Sequence, residues 1–273
     1  MKKIVVAPDS FKGSLTSAEV ADAVERGIKD VFPQCNVVKA GVADGGEGTV
    51  EAIVKAVGGD MYAASVTDPL GRPIKAAYGI VRSGGVKTAV MEMSAASGLP
   101  LLLPDELNPW ITSTYGTGEM ISDALNRGCR KFLVGIGGSA TNDAGTGMLS
   151  ALGVRFLDSR GQRLKGCGKD LESIARIDMS SLIPAARESE FIVACDVNTP
   201  FCGPDGAARV FAPQKGADPQ TAEALDRGMR SFAQVIAGQF QTDIVPLSGA
   251  GAAGGLGGAF KAFLNARLTA GIE

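Results

Sequence analysis

The chain has 273 residues, with 27 basic and 29 acidic side chains, a formal net charge of −2, no histidine and 5% aromatic residues. The near-neutral charge and the scarcity of aromatic side chains argue against nucleic acid as a partner and favour a small-molecule ligand. The absence of histidine excludes a Ser-His-Asp triad and a histidine-ligated metal, so proton transfer falls to other side chains.

The first part of the chain alternates strands and helices. A short β-branched run over Lys3–Ala7 predicts a strand, and apolar residues at helical spacing predict a helix over Thr16–Phe32. Val37–Val42 predicts the next strand, and Thr49–Val57 predicts a second helix that stops at two glycines. Two strand–helix units in succession favour a parallel, doubly wound sheet.

The same N-terminal segment bears on cellular location. Its apolar stretch is four residues long before Pro8, which is too short for a signal peptide. No segment approaches the roughly 20 apolar residues of a membrane helix. Five cysteines without a Cys-x-x-Cys pair argue against a disulfide framework and a zinc knuckle. We therefore expect a soluble cytoplasmic protein without a membrane partner.

The pattern changes in the middle of the chain. Alternating segments from Met61 to Met93, separated by turn residues, predict antiparallel strands and a domain boundary. A helix over Gly118–Asn126 and a strand over Lys131–Ile136 follow. Val154–Leu164 resembles a hairpin, and Glu190–Ala194 predicts another buried strand.

Near the end, the run SGAGAAGGLGGAF contains six glycines between Gly249 and Gly258. A flexible linker would continue in Gly and Ser, whereas this run leads into the helical pattern of Ala259–Leu268. The sequence therefore predicts a tight loop that enters a helix.

Four loops combine glycine or turn residues with polar groups, and each follows a predicted strand. Ligands of open α/β sheets bind beyond the carboxyl ends of the strands, so all four loops could share one cleft. The loops are Asp9-Ser-Phe-Lys-Gly-Ser, Asp44-Gly-Gly-Glu-Gly-Thr, Gly137-Gly-Ser-Ala-Thr-Asn-Asp-Ala-Gly and Cys195-Asp-Val-Asn-Thr-Pro.

The loop that begins at Gly137 is the best candidate for binding phosphate. It offers backbone N–H groups at the start of a helix, where the helix dipole favours an anion. It lacks the Gly-Lys-Ser/Thr signature of a Walker A loop. A structural helix cap is the alternative reading, although Asp143 inside the loop favours a functional one.

The charged residues of these loops have two readings each. Asp44 and Glu47 could bind magnesium, which prefers carboxylate oxygens, or they could serve as a turn former and a first-turn helix acid. Lys12 and Lys215 could contact phosphate or lie solvated at the surface. Asp196 could accept a hydroxyl proton or hold a metal, or it could cap a turn before Pro200.

Taken together, these loops resemble the glycerate kinase family, in the branch typified by bacterial enzymes that make 2-phosphoglycerate. Each motif alone is modest support, but six in order along essentially the whole chain are specific. The motifs are APDSFKGSLTS (7–17), ADGGEGT (43–49), TDPLGRP (67–73), GIGGSATNDAGTGM (135–148), CDVNTPFCGPDGAA (195–208) and APQKGA (212–217).

The resemblance implies a fold with two α/β lobes and an active site between them. We expect a Rossmann- or flavodoxin-like parallel-sheet lobe over residues 1–65 and a second, mixed α/β lobe over residues 66–273. Family members continue beyond the position of Glu273, so the resemblance implies that the first lobe is completed by residues outside this chain. It also implies ATP, Mg²⁺ and a D-glycerate acceptor, and it leaves a homodimer open.

From the residues and the resemblance we derive a hypothesis of direct phosphoryl transfer from ATP to a glycerate hydroxyl. Asp196, Lys12 and Asp44 are the expected catalytic residues, and Asp9, Ser10 and Asn198 the expected glycerate contacts. Asp44, Glu47 and Asp143 are the expected magnesium ligands. The expected ATP-binding residues are Gly137, Gly138, Ser139, Thr141, Asn142, Gly145 and Lys215.

Two alternatives remain open at this stage. One is a kinase of a related sugar acid, because glycine loops and lysines recognise any small carboxylate or phosphate. The other is a non-catalytic module that binds a nucleotide or another anion. Neither the hydroxyl that is phosphorylated nor the oligomeric state follows from the sequence.

Overall fold

A computed structural model describes residues 3–8, 11, 14–15, 17–39 and 48–269 of the chain, and the structural statements below concern these residues. Five of the expected site residues lie outside them: Asp9, Ser10, Lys12, Asp44 and Glu47.

The N-terminal unit is a strand, a helix and a second strand, as the sequence predicts. Strand β1 (Lys3–Val6) pairs in parallel with β2 (Asn36–Lys39), and helix α1 (Ser17–Val31) connects them. Val20 and Ala21 are buried on α1. The Lys39 ammonium lies 2.6 Å from Asp22 and 2.9 Å from Glu25, which ties the second strand to the helix.

A helix and an antiparallel meander follow. Helix α2 (Thr49–Val57) leads into β3 (Gly59–Thr67), β4 (Pro73–Ser83) and β5 (Val86–Glu92), which confirms the antiparallel strands expected between 61 and 93. Valines of α2 pack against Val81 and Val90 of the meander. A Cβ at position 79 would overlap the Val54 side chain, so glycine there allows the helix to approach. Helix α2 thus packs on the large sheet, and the domain boundary at residue 65 stays a prediction.

The chain then alternates helices and parallel strands. A short helix α3 (Ser94–Ser97) and the longer α4 (Tyr115–Asn126) precede β6 (Lys131–Gly135), and α5 (Thr146–Ala151) follows it. Strand β6 pairs in parallel with β5, beginning with Thr88 opposite Lys131.

The expected hairpin over 154–164 is present and short. The Asp158 amide donates to the Gln162 carbonyl at 3.0 Å, the Leu164 amide donates to the Phe156 carbonyl at 2.8 Å, and an antiparallel bridge joins Leu157 to Arg163. Strand β7 (Arg155–Leu157) also pairs with β8 (Arg176–Asp178). Helix α6 (Pro184–Arg187) comes next. The backbone groups of β7 are thus satisfied by a local partner and by a long-range one.

The last third completes the large sheet. Strand β9 (Glu190–Ala194) matches the predicted strand, and helices α7 (Ala207–Phe211), α8 (Pro219–Phe240) and α9 (Ala252–Leu264) precede β10 (Arg267–Thr269). The Asp218 carboxylate accepts a hydrogen bond from the Thr221 amide at 2.6 Å and caps α8. The order of the six-stranded sheet is β10-β9-β6-β5-β4-β3.

Aromatic side chains fill the core around the centre of this sheet. Phe132 of β6 stacks on Phe191 of β9 with ring centroids 4.6 Å apart, and Phe191 contacts Phe260 of α9 at 5.8 Å. All three are buried. This core fixes the neighbouring strands β6 and β9, whose carboxyl ends carry the candidate site. No helix in the described part of the chain is both long and apolar enough to cross a membrane.

The contact between α4 and α5 depends on Gly118. A Cβ at this position would overlap the Met148 carbonyl and crowd the Ala151 methyl group. We expect Gly118→Ala to lower the free energy of unfolding by about 1–3 kcal/mol, because the packed helices must move apart. Urea denaturation measures this loss.

Gly27→Ala is the matched control, because Gly27 is exposed on α1 and a Cβ there meets no atom within 4 Å. We expect this variant to be as stable as the parent or more stable by up to about 1 kcal/mol, since alanine favours a helix. Equal stability of the Gly118→Ala variant and the parent would contradict the packing argument.

Candidate active site

The carboxyl ends of four parallel strands lie side by side at one edge of the large sheet. Glu92 of β5 pairs in register with Gly135 of β6, Gly135 with Ala194 of β9, and Ala194 with Thr269 of β10. Neighbouring strands are about 4.8 Å apart. The loops that follow β6 and β9 therefore begin next to each other, which is where open α/β sheets bind ligands.

The loop after β6 is exposed only at its beginning. Gly137 and Gly138 are exposed, whereas every residue from Ser139 to Ser150 is buried. Gly138 has a φ of 72°, which glycine adopts without strain, and its carbonyl accepts a hydrogen bond from the Leu99 amide at 2.9 Å. The surface that this loop offers to a ligand is thus a pair of glycines.

Three of the expected ATP-binding residues lie beneath that surface. Thr141 and Asn142 are fully buried, and Gly145 is buried against Ala259 of α9. The Asn142 amide nitrogen lies 3.2 Å from the Met229 sulfur, while its side-chain oxygen has no hydrogen-bond partner among the described residues. Direct contact of these three residues with a nucleotide stays a prediction.

Asp143 is fully buried and organises the loop around its carboxylate. One oxygen accepts hydrogen bonds from the Thr114 amide at 2.7 Å, the Thr114 hydroxyl at 2.8 Å and the Gly147 amide at 3.2 Å. The other accepts from the Gly145 amide at 3.0 Å. Burial raises the pKa of Asp143, and the donors from Thr114, Gly145 and Gly147 oppose that shift.

This geometry differs from the expected phosphate site at a helix N-terminus. Helix α5 begins only at Thr146, and the Gly145 and Gly147 amides at its start already donate to Asp143. A carboxylate of the protein therefore takes the position at the helix end where an anion was expected. The role of Asp143 as a magnesium ligand stays a prediction, and its contacts favour a structural role.

Thr114, which the sequence analysis does not single out, is the principal partner of Asp143. Its hydroxyl also accepts a hydrogen bond from the Met148 amide at 2.9 Å. The neighbouring Ser113 amide donates to the Pro69 carbonyl in the TDPLGRP turn at 3.0 Å. The Ser-Thr-rich segment before α4 was a sequence signal for such capping contacts.

Lys215 is buried, with 2% of its surface exposed, and does not lie solvated at the surface. Its ammonium donates to the Thr141 carbonyl at 2.6 Å and to the Ser139 hydroxyl at 3.2 Å. Burial lowers the pKa of Lys215 to about 7, and the charge of Asp143 acts in the opposite direction. The side chain thus contacts the inner side of the loop that presents Gly137 and Gly138.

The loop after β9 is exposed where it leaves the sheet. Asp196, Val197 and Asn198 are all exposed, and the Asn198 side-chain oxygen accepts a hydrogen bond from the Ser248 hydroxyl at 2.8 Å. The expected catalytic carboxylate and the expected glycerate contact are therefore both accessible beside the loop after β6.

The glycine-rich run near the end contacts both of these loops. The Gly251 amide donates to the Thr199 carbonyl at 3.0 Å, and the Gly254 carbonyl accepts from the Ala144 amide at 2.9 Å. Ala253, Gly254 and Gly255 have left-handed backbone angles, as does Ala144 opposite them. The prediction of a tight turn that enters a helix is confirmed, but the helix begins earlier than expected and ends at Leu264, and Leu268 lies in β10 rather than in the helix.

Asp143 is the one expected magnesium ligand that lies within the described residues. Asp44 and Glu47 lie outside the described residues, although the first turn of α2, which follows them, is attached to the site edge through the Val50 amide and the Glu92 carboxylate at 3.1 Å. Within the described ranges, no three His, Cys, Asp or Glu side chains form a group that could hold a metal ion.

Fold and site together define an α/β protein whose candidate ligand edge lies at the carboxyl ends of parallel strands. The model of the Glycerate kinase family matches residues 4–273. The chain is 48% identical to the glycerate kinase of Haemophilus influenzae and 47% identical to the glycerate 2-kinase of Escherichia coli, each over 99% of this chain and 71% of the relative. The chain belongs to the glycerate kinase family.

A solved structure agrees with this assignment. A crystal structure assigned as a glycerate kinase 2 from Salmonella typhimurium LT2 matches with a TM-score of 0.88 and 46% identity, over 99% of this chain and 72% of that one. The mixed α/β fold and the enzyme class expected from the sequence are thereby confirmed.

The buried carboxylate leads to a stability prediction. In Asp143→Asn, one of the two carboxylate oxygens becomes an NH₂ group that faces a backbone N–H donor. At least one buried N–H then loses its acceptor, so we expect the free energy of unfolding to fall by about 1–3 kcal/mol. Urea denaturation at pH 7 measures the change.

Asp158→Asn is the matched control. The Asp158 carboxylate accepts from the Arg160 amide at 2.9 Å and the Gln162 amide at 2.8 Å through one oxygen, which an asparagine keeps. We expect its effect to stay within about 0.5 kcal/mol. Equal effects of the two substitutions would show that the Asp143 carboxylate has no special part in the fold.

Proposed function

We propose that this chain transfers the γ-phosphoryl group of ATP to D-glycerate and forms 2-phosphoglycerate, with Mg²⁺ as the metal ion. The observation that carries the proposal is the 47–48% identity to curated glycerate kinases over 99% of the chain, one of them a glycerate 2-kinase. Reaction and acceptor are inferred from this similarity, and the geometry supports a site for a small anionic ligand.

The exposed part of the site has two sides. Gly137 and Gly138 after β6 can approach phosphate oxygens closely because they lack side chains. Asp196 and Asn198 after β9 present a carboxylate and an amide on the neighbouring strand. We assign the glycine side to the nucleotide phosphates and the Asp196 side to glycerate.

In the proposed reaction a hydroxyl oxygen of glycerate attacks the γ-phosphorus. The new oxygen–phosphorus bond forms as the bond to the β-phosphate oxygen breaks, ADP leaves, and the hydroxyl proton passes to the Asp196 carboxylate. Phosphoryl transfer needs little covalent chemistry from the protein, so positioning and neutralisation of charge supply most of the catalysis.

The remaining assignments concern residues outside the described part of the chain. We propose that Lys12 neutralises phosphoryl oxygens, that Asp9 and Ser10 contact glycerate, and that Asp44 and Glu47 bind magnesium. Bound Mg²⁺ would partly neutralise the negative charge of the phosphate oxygens. These side chains belong to loops that follow β1 and β2, so the N-terminal unit would complete the site.

The product identifies the reaction. Incubation with ATP, Mg²⁺ and D-glycerate should yield 2-phosphoglycerate, which ³¹P and ¹H NMR distinguish from 3-phosphoglycerate. A panel of related sugar acids run in parallel should give slower turnover. Formation of the 3-phospho product would overturn the regiochemistry, and ATP binding without glycerate-dependent release of ADP would overturn the kinase assignment.

The role of Asp196 is tested by Asp196→Asn, which keeps the size of the side chain but removes the proton acceptor. We expect kcat to fall by about 10²–10⁴-fold, the usual contribution of a positioned general base. Because Asp196 is exposed, the melting temperature should be unchanged.

Asp205→Asn serves as the control, since Asp205 is exposed in the same connection between β9 and α7. It removes the same charge and should leave kcat within about twofold of the parent. Full turnover by the folded Asp196→Asn variant would show that Asp196 is not the base.

A further inference from the structure

Lys215 has a backbone that is fixed on both sides. It ends a 3₁₀ turn over Pro213–Lys215, and Gly216 follows with a φ of 95°. A Cβ at position 216 would overlap the Leu107 carbonyl, so only glycine fits there. The Ala217 amide donates to the Ala212 carbonyl at 3.1 Å and closes the turn. The long side chain therefore starts from a rigid point.

The end of this side chain is an ammonium group in the protein interior. A buried ammonium is unfavourable unless it is hydrogen bonded, and here it donates to the Thr141 carbonyl and the Ser139 hydroxyl. An apolar side chain of the same length would fill this space without that cost of desolvation. The polar contacts of Lys215 are thus directed at one short segment, residues 139–141.

That segment lies directly behind the two exposed glycines. Ser139 bridges to Gly98, and the Ala140 amide donates to the Ser97 carbonyl at 3.0 Å. The Ser139 hydroxyl also accepts from the Thr141 amide at 3.1 Å. The ammonium joins this network and connects residues 139 and 141 to the turn before α8.

We propose that Lys215 is a positioning residue, which holds Gly137 and Gly138 in the conformation that receives the nucleotide phosphates without touching the nucleotide itself. The inference rests on the proposed function in naming ATP as the ligand of this loop. With 2% of its surface exposed, Lys215 has no access to a ligand. This assigns it a different role from the direct phosphate contact expected from the sequence.

Lys215→Met tests the proposal, because methionine keeps the length and loses the hydrogen bonds and the charge. The first measurement is amide hydrogen exchange of peptides spanning residues 137–141 without nucleotide, which should become faster. The second is binding of a non-hydrolysable ATP analogue, whose Kd should rise about tenfold, as loss of charge-assisted hydrogen bonds would produce. Binding of adenosine and the KM for glycerate should stay within about twofold.

Lys169→Met is the matched control, since Lys169 is exposed and the substitution removes the same charge. It should change neither measurement. If Lys215→Met does not fold, Ser139→Ala removes one acceptor of the same ammonium and should change both quantities in the same direction by about threefold.

The outcomes separate three roles. Unchanged exchange in the free protein with weaker binding of the analogue would indicate direct contact with phosphate and overturn the proposal. Faster exchange with unchanged binding of the analogue would indicate a purely structural role and would also overturn the proposal. The proposal would likewise fail if Lys215→Met changed neither exchange nor binding, or if the parent protein did not bind the analogue. If the parent binds the analogue but makes no phosphoglycerate, the proposed function fails while the positioning role stands.

Discussion

The buried carboxylate of Asp143 is the interaction on which the candidate site depends. It accepts hydrogen bonds from Thr114 before α4 and from two amides at the start of α5, so one side chain joins the beginnings of two helices. A buried carboxylate is tolerated only when such donors surround it. The path of the loop after β6 is therefore set by where these donors are, and the loop reaches the surface at two glycines alone.

The parallel strands place the two exposed sides of the site next to each other. Gly135 and Ala194, the last residues of β6 and β9, are paired in register. The two loops that follow, one with Gly137 and Gly138 and the other with Asp196, therefore leave the sheet at neighbouring positions. Beneath them, Asp143, Lys215 and the left-handed turn at Ala253–Gly255 hold the loops from the interior. The proposed reaction thus uses exposed residues, Gly137, Gly138 and Asp196, whose loops are held in place by the buried side chains of Asp143 and Lys215.

The sequence predicts the regular elements well because their signals are local. The helix over Thr49–Val57 and the strand over Glu190–Ala194 have the predicted bounds. The local hairpin after β7 was predicted, but the pairing of β7 with β8 was not, because it depends on residues far along the chain. The phosphate-binding role of the loop after β6 stays a prediction, and composition could not reveal that Asp143 itself occupies the helix end. Composition likewise could not predict that Lys215 is buried, since a lysine beside glycine is usually exposed.

Two alanines with left-handed backbone angles face each other where the glycine-rich run contacts the loop after β6. Ala144 has a φ of 52° and donates to the carbonyl next to Ala253, which has the same φ. Neither backbone can shift by a small amount without moving its methyl group or breaking this hydrogen bond. A shift of one segment past the other would therefore break this hydrogen bond. We expect the two segments to move together when the cleft opens or closes, with the hinges elsewhere in the chain.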